Sequence, residues 1–368
     1  MQFSIVIPTY GRNEIVIEET FSALLTLESE LNQYVKEIFI MDQNDPPLDL
    51  PYTRINLASS SIWQPRREEY YQKKLRRWKK VKQYFLDQTQ EMAENHRVKN
   101  HPAIYHIVGI RPSVTISKNL GALLATGELL FFLDDDGSLQ AKALRYHHNF
   151  HSQDDFLGVL GGREVIVQNC QGRSFFKEKI AQYVEYIWKL RLFNKDEEKY
   201  KLQGKYVGRI TPSSFFFCNY TLPSEKLIPV NTVRGCISSV KRRVLEEVNG
   251  FDELFQGTAL REESDFCLRI EKAGYTNYYY GNSVLHHRRQ VGGCNNIAKN
   301  IQTLISKFEN ESYFQQKHFG HLRSWYFFIR LLPMALEGFM QSHGASLLLL
   351  FKYSFSLSKI SNSSRHEK

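Results

Sequence analysis

The feature that most constrains this chain is a recurring unit, a short apolar run that stops in a cluster of polar, turn-forming residues. Residues 3–7 (FSIVI) lead into PTYGR, residues 38–41 (IFIM) into DQNDPP, and residues 129–133 (LLFFL) into DDDG. Residues 104–108 form another apolar run. Short runs without polar alternation read as strands buried on both faces, as in a parallel sheet. Between the first two, residues 14–31 carry Ile17, Phe21, Leu24, Leu25 and Leu31 at a spacing that predicts a helix. Residues 116–125, punctuated by Gly127, predict another before the LLFFL run. Strand, helix, strand is the building block of parallel sheets, so the predicted class is α/β.

In open sheets of this kind ligands bind outside the carboxyl ends of the strands. The three polar clusters are therefore expected to converge on one crevice. The triple aspartate Asp134, Asp135 and Asp136 stands out within it. Three adjacent carboxylates repel one another and need a cation or hydrogen-bond donors to offset their charge. Magnesium and manganese favour such oxygen ligands, often shared with substrate phosphates. The competing reading is a plain turn, since Asp and Gly are good turn residues.

Residues 48–102 form an insertion too long for a simple connection. Its central part, residues 66–82, carries nine Lys or Arg against Glu68 and Glu69, with Tyr71, Leu75, Trp78 and Phe85 at near-helical spacing. This predicts a basic amphipathic helix, either a solvated surface element or an attachment to an anionic membrane surface. The net charge of +9 also points to an anionic partner, and nucleic acid is not the expected one. The 42% hydrophobic and 13% aromatic content excludes a disordered chain.

Beyond the aspartates, residues 262–272 predict a helix stopped by Gly274, and residues 278–280 a short strand running toward a His-containing loop. Five scattered cysteines without a CxxC pair argue against a disulfide framework or a zinc knuckle. The opening FSIVIPTYGR lacks a basic leader and reads as a strand, and the apolar stretches at 325–339 and 345–351 are interrupted or bounded by charge and Pro333. The expected setting is the cytoplasm, with peripheral attachment at the inner face of the plasma membrane through the basic segment. Residues 1–295 are expected as one domain and 296–368 as a helical extension that touches membrane or acceptor.

The order IPTYGR, IFIMDQND, ISKNLGALLATGELLFFLDDDG, KRRVLEEVNGFDE and REESDFCLRIEKAGY resembles the family-two glycosyltransferases of the GT-A fold. The resemblance covers residues 3–47 and 104–295, and it rests on the order of five individually weak motifs. It implies a Rossmann-like, mixed but mainly parallel sheet with a helical insertion and a helical C-terminal extension. It also implies a hexosyltransferase-class enzyme that uses Mn2+ or Mg2+, a nucleotide-diphospho-sugar donor and a glycan or lipid-linked acceptor, in surface polysaccharide or glycan assembly.

Carried over by position, Pro8, Thr9 and Tyr10 line the nucleotide and Asp42 accepts a hydrogen bond from the base, a role a carboxylate can fill toward a ring N–H. Asn44 and Asp45 serve that site or only shape the turn. Lys118 serves the diphosphate or is a surface lysine, and Asn119 lies beside it beneath the nucleotide. Asp134 and Asp136 match the outer positions of the Asp-any-Asp motif, with Asp136 as metal ligand, Asp134 shared between metal and ribose, and Asp135 open to either job. His286 fits a position that approaches the metal. The catalytic base maps to Glu263, in place of the family's commoner aspartate, with Glu262 as the alternative. The bland reading of the acids at 262–265 is a helix-dipole cluster with an ordinary Asp265–Arg269 pair.

Two other functions compete. A nucleotidyltransferase also needs metal-binding acids, but it should carry a longer phosphate loop than PTYGR. A non-catalytic membrane- or nucleic-acid-binding protein would depend on residues 66–82 and not on Asp134, Asp136 or Glu263.

Overall fold

The computed structural model describes residues 1–57, 83, 102–167, 199–211, 214, 216–288, 290, 301–320 and six positions between 331 and 352. The basic stretch at 66–82, and most of the aromatic stretch after 175 and of the apolar segments after 320, lie outside the described residues. Seven described helices bear on the site: α1 (Glu14–Leu25), α2 (Glu28–Tyr34), α3 (Val114–Leu124), α4 (Ala143–Gln153), α5 (Arg242–Glu247), α6 (Glu262–Lys272) and α7 (Ile301–Phe319).

The apolar runs are strands for the reason their composition implies. In β1 (Phe3–Thr9), Phe3, Ile5 and Ile7 pack with Ile17, Phe21 and Leu24 of α1 and Leu144 of α4, while Val6 faces the opposite core. That second core holds Leu120 of α3, Val244 of α5 and Phe266 and Ile270 of α6. β2 (Val35–Asp42) and β5 (Leu129–Leu133) split in the same way, Phe131 to one side and Phe132 to the other. Side chains alternate across a strand, so a sheet covered by helices on both faces requires apolar residues at every position.

The main sheet has ten strands. β3 (Thr53–Asn56), β4 (Ala103–Val108), β7 (Leu157–Ile166), β12 (Leu227–Val230), β13 (Ile237–Lys241) and β14 (Thr276–His287) complete its body in the order β12-β14-β7-β13-β5-β1-β2-β4-β3, while β8 (Lys201–Leu202) with β9 (Lys205–Tyr206) and β10 (Arg209–Ile210) with β11 (Phe216–Phe217) form two small separate sheets. β1 runs parallel to β2 and β5, β2 to β4, and β7 to β14, whereas β13 is antiparallel to both β5 and β7. The mixed, mainly parallel α/β sheet predicted from the sequence is present. α3 crosses β1 at Gly121, where an added Cβ would sit 2.4 Å from Val6 Cγ1, so only glycine permits that approach.

Three local expectations change. The helix expected over 14–31 breaks at Thr26 and Leu27, because the Leu27 N–H bonds to Leu24 O and tightens the last turn before α2 starts. Part of the expected insertion joins the sheet, as β3 (Thr53–Asn56) pairs in parallel with β4. The short strand expected at 278–280 is twelve residues long, and both histidines lie in it. β6 (Gly137–Leu139), which no period in the sequence announces, pairs with the end of β14.

Helix α7 is tied to α6 by charge. Asp265, fully buried, contacts Arg269 Nε at 2.8 Å, Lys317 Nζ at 2.7 Å and His318 Nε2 at 2.7 Å. Burial opposes its charge, but His318, Arg269 and Lys317 hold its carboxyl well below the usual range. Breaking such a buried cluster from one side typically costs about 3 kcal/mol, so Asp265→Ala is expected to lower the Tm by several degrees. Because the folded pKa lies below the unfolded value, the carboxylate's contribution is complete above about pH 4 and fades as pH falls. The melting curves of wild type and Asp265→Ala should therefore converge in acid, and a gap that widens there would contradict this account.

Candidate active site

The chain leaves β5 at Leu133 and turns, with the Gly137 N–H bonding to Asp134 O at 3.2 Å. The turn separates the three aspartates. Asp135 and Asp136 are buried, whereas the Asp134 side chain is 41% exposed. The offsetting cation demanded by three carboxylates comes partly from within the chain. Arg12 Nε lies 3.1 and 3.2 Å from the two oxygens of Asp135, and its Nη2 lies 2.9 Å from Asp136 Oδ2. The Gln290 N–H donates to that same Asp136 oxygen at 2.9 Å. Arg12 is the fifth residue of PTYGR, so its position at a strand end was the signal, although sequence reasoning did not single it out.

The second cation is His287. Its Nε2 lies 2.8 Å from Asp136 Oδ1 and 3.9 Å from Asp134 Oδ2, and its Nδ1 lies 2.8 Å from Glu164 Oε1 on β7. Burial opposes a charged ring, but hydrogen bonds to Asp136, Cys236 and Glu164 outweigh it and push the pKa up to about 12. His286, the residue expected near the metal, is the neighbour of this one in β14. The two-residue period of a strand carries its side chain to the opposite face, so His287 is the histidine that meets the acids.

Asp134, Cys236 and His287 each place a donor atom within 4.8 Å of the others, the one such group among the described residues. Burial pushes the Cys236 thiol up to about 11, so with no cation bound it is neutral at ordinary pH. Carboxylate and imidazole donors remain, and both suit manganese. Glu164 behind Nδ1 matches the outer-shell carboxylate that commonly fixes a metal-bound histidine. A divalent cation that displaces the proton from His287 Nε2 would find Asp134, His287 and the buried Asp136 Oδ1, which has no hydrogen-bond partner but that histidine among the described residues, as its donors.

The loops after β1 and β2 meet as expected, since Asn44 Oδ1 accepts from Gly11 N–H at 2.7 Å. Pro8 and Tyr10 are half-buried at this edge and Thr9 is buried. Asp42 is tied into its own loop. Its Oδ1 accepts from Asn44 N–H at 2.9 Å and Asn44 Nδ2 at 2.7 Å, while its Oδ2 accepts from Leu48 N–H at 2.8 Å and lies 2.9 Å from His106 Nε2. A carboxylate offers about four acceptor positions. Internal partners occupy all of them, and the residue is fully buried.

Lys118 and Asn119 also turn inward. Lys118 is buried, its Nζ bonds to Glu262, and the rings of Phe251 and Phe132 lie 5.0 and 5.8 Å away. Asn119 accepts from Phe251 N–H at 2.7 Å and donates to Phe251 O at 2.8 Å and Glu253 Oε1 at 2.9 Å. It clips the NGFDE turn in place.

Glu262 is buried against Lys118; burial raises its carboxyl, and the charge and hydrogen bond of that lysine pull it back toward the ionised form. Glu263 is half-buried and free of that pairing. A Cβ on Gly235 would sit 2.6 Å from Glu263 Oε1 and 3.0 Å from Lys118 Nζ, so this glycine leaves the space the Glu263 carboxylate uses. The charges of Glu262, Glu263 and Asp134 all favour the charged form of Lys118 against the burial that opposes it.

No protein-family model matches the chain, and no curated protein matches it in sequence. Solved structures do match. GalNAc-T7, crystallised with UDP, GalNAc and Mn2+, is similar over 87% of this chain, with TM-score 0.50 and 12% identity. The mannosyltransferase PcManGT from Pyrobaculum calidifontis, in complex with GDP-Man and Mn2+, is similar over 99% of this chain and 75% of its own, with TM-score 0.42 and 12% identity. The chain spans 50% of the GalNAc-T7 chain. The shared feature is the fold, a GT-A-type α/β sheet.

Proposed function

We propose that this chain is a metal-dependent glycosyltransferase that moves a sugar from a nucleotide-diphospho-sugar to an acceptor hydroxyl with inversion. The observation that carries the proposal is the exposed Asp134 beside His287, itself steadied by Glu164, at the edge of a GT-A sheet. GalNAc-T7, similar in fold, was crystallised with UDP, GalNAc and Mn2+, which supports donor chemistry of that kind here.

A divalent cation held by Asp134 and His287 would neutralise charge that develops on the leaving diphosphate. Arg12 keeps Asp135 and Asp136 from repelling that arrangement apart. Across the site, Glu263 accepts the proton of the acceptor hydroxyl as it attacks the anomeric carbon, through an oxocarbenium-like transition state. Glu262 does not fill this role, since its carboxylate is bound to Lys118 and out of solvent. Pro8 and Tyr10, half-buried at the mouth of β1, are the residues left to line the nucleotide, while Asp42 shapes the loop beside them.

A thermal-shift screen tests this reading. UDP, GDP and their sugars are expected to raise the Tm by a few degrees with Mn2+ present and by far less without it, because a ligand at about 100 times its Kd adds about 2.7 kcal/mol. Stabilisation by nucleoside triphosphates alone would favour a nucleotidyltransferase, and no shift with any nucleotide would remove the donor assignment.

A further inference from the structure

The loop that delivers Glu263 is held in an unfavourable conformation. Ala259 has φ 47° and Arg261 has φ 78°, both in the left-handed region although neither is glycine. Residues of this kind persist only when their surroundings impose them, and they cluster at functional sites. Their position matters here. Glu262 N–H donates to Ala259 O at 3.0 Å and Asp265 N–H donates to Arg261 O at 2.9 Å, so these two carbonyls set the first turn of α6. Glu262 and Glu263 occupy that turn.

What imposes the conformation is α7. Arg261 Nε lies 2.7 Å from Oε2 of the buried Glu311, and the guanidinium sits 3.5 Å from the Phe216 ring centroid. One turn back along the loop, the Thr258 N–H donates to Ser306 Oγ at 3.0 Å. Gln256 O accepts from Ser306 Oγ at 3.0 Å and from Asn310 Nδ2 at 2.8 Å. Phe314 packs with Phe255 and Ala259 beneath. Every one of these partners except Phe216 belongs to the loop or to α7.

We propose that α7 is a clamp that positions the catalytic carboxylate, with the Arg261–Glu311 pair as its main tie; the proposal rests on Glu263 being the base. The start of the C-terminal extension then acts on catalysis through α6, whatever acceptor or surface the rest of it meets. Glu311 is a positioning residue, since it touches Arg261 and not a reacting atom.

Hydrogen exchange on the full chain without ligand reads the clamp directly. Glu311→Gln removes the charge and keeps the shape. The amides of Glu262 and Asp265 should then exchange about tenfold faster, as expected when a strained residue loses its restraint, while those of β5 and β13 keep their wild-type rates. Adding Arg261→Gly should bring the two amides back toward wild type, because glycine adopts φ 78° without steric cost. Unchanged exchange at Glu262 and Asp265, equal acceleration in β5 and β13, or a double variant as fast as Glu311→Gln would each overturn the clamp.

Turnover of the nucleotide sugar that the wild type uses supplies the second readout. Glu311→Gln should lower kcat about tenfold with donor KM unchanged, as follows when positioning and not binding is lost. Full activity of Glu311→Gln beside an inactive Glu263→Gln overturns the clamp and leaves the base in place. An active Glu263→Gln overturns the base, and the exchange rates still decide the clamp.

Discussion

Glu263→Gln is expected to cut sugar transfer by about a thousandfold, within the range that a general base contributes, while nucleotide and Mn2+ binding stay within about twofold of wild type. The substitution keeps the shape of a half-buried side chain that carries no ion pair among the described residues, so the Tm should move by less than about a degree. Glu262→Gln separates the two neighbours. Its carboxylate is the partner of a buried lysine, so that change leaves Lys118 unpaired and should lower the Tm markedly. If the two variants behave alike, in activity and in melting, the division of labour within this Glu–Glu pair is wrong. The measurement is steady-state kinetics with nucleotide titration and calorimetry on the same preparations.

The fold was legible in the sequence because burial on both faces leaves a plain signature. FSIVI, IFIM and LLFFL have no polar alternation, and each is a central strand with helices above and below. The helix at 262–272 was equally plain, since its acidic start and basic end agree with its dipole. Elements fixed by long-range pairing were not legible. β6 is three residues long and exists because β14 runs beside it, and β14 was underestimated because its far half reads as polar.

The site divides in the same way. Sequence position brought the right loops together, but it could not tell a residue that faces a ligand from one that faces its own chain. Asp42, Lys118 and Asn119 stand where ligand contacts were expected, and internal hydrogen bonds or ion pairs engage all three. The choice between His286 and His287 turned on one step of strand parity, which requires the end of β14 to be known. Arg12 could have been inferred from electrostatics alone, since the aspartates needed a cation and PTYGR supplies one at the adjacent strand end.

The same division predicts that two aspartates of one motif will fail differently. Asp136 is buried, with Arg12 and the Gln290 N–H on one oxygen and His287 on the other. Asp136→Ala strands an arginine and a histidine together, and removing one partner of a buried ion pair typically costs about 3–5 kcal/mol. That variant should therefore lose both transfer and several degrees of Tm, and excess Mn2+ should not restore it. Asp134 is 41% exposed, with His287 no nearer than 3.9 Å. Asp134→Asn should keep its Tm within about a degree while weakening Mn2+-dependent nucleotide binding by about tenfold or more, as the loss of a metal ligand requires. Its residual transfer should rise with added Mn2+. Calorimetric melting of both variants, paired with Mn2+ titrations of UDP and GDP binding, distinguishes the roles. If Asp134→Asn binds metal and nucleotide as the wild type does, the exposed carboxylate is not a metal ligand, and that role passes to Asp136 through Oδ1, the oxygen that Arg12 does not hold.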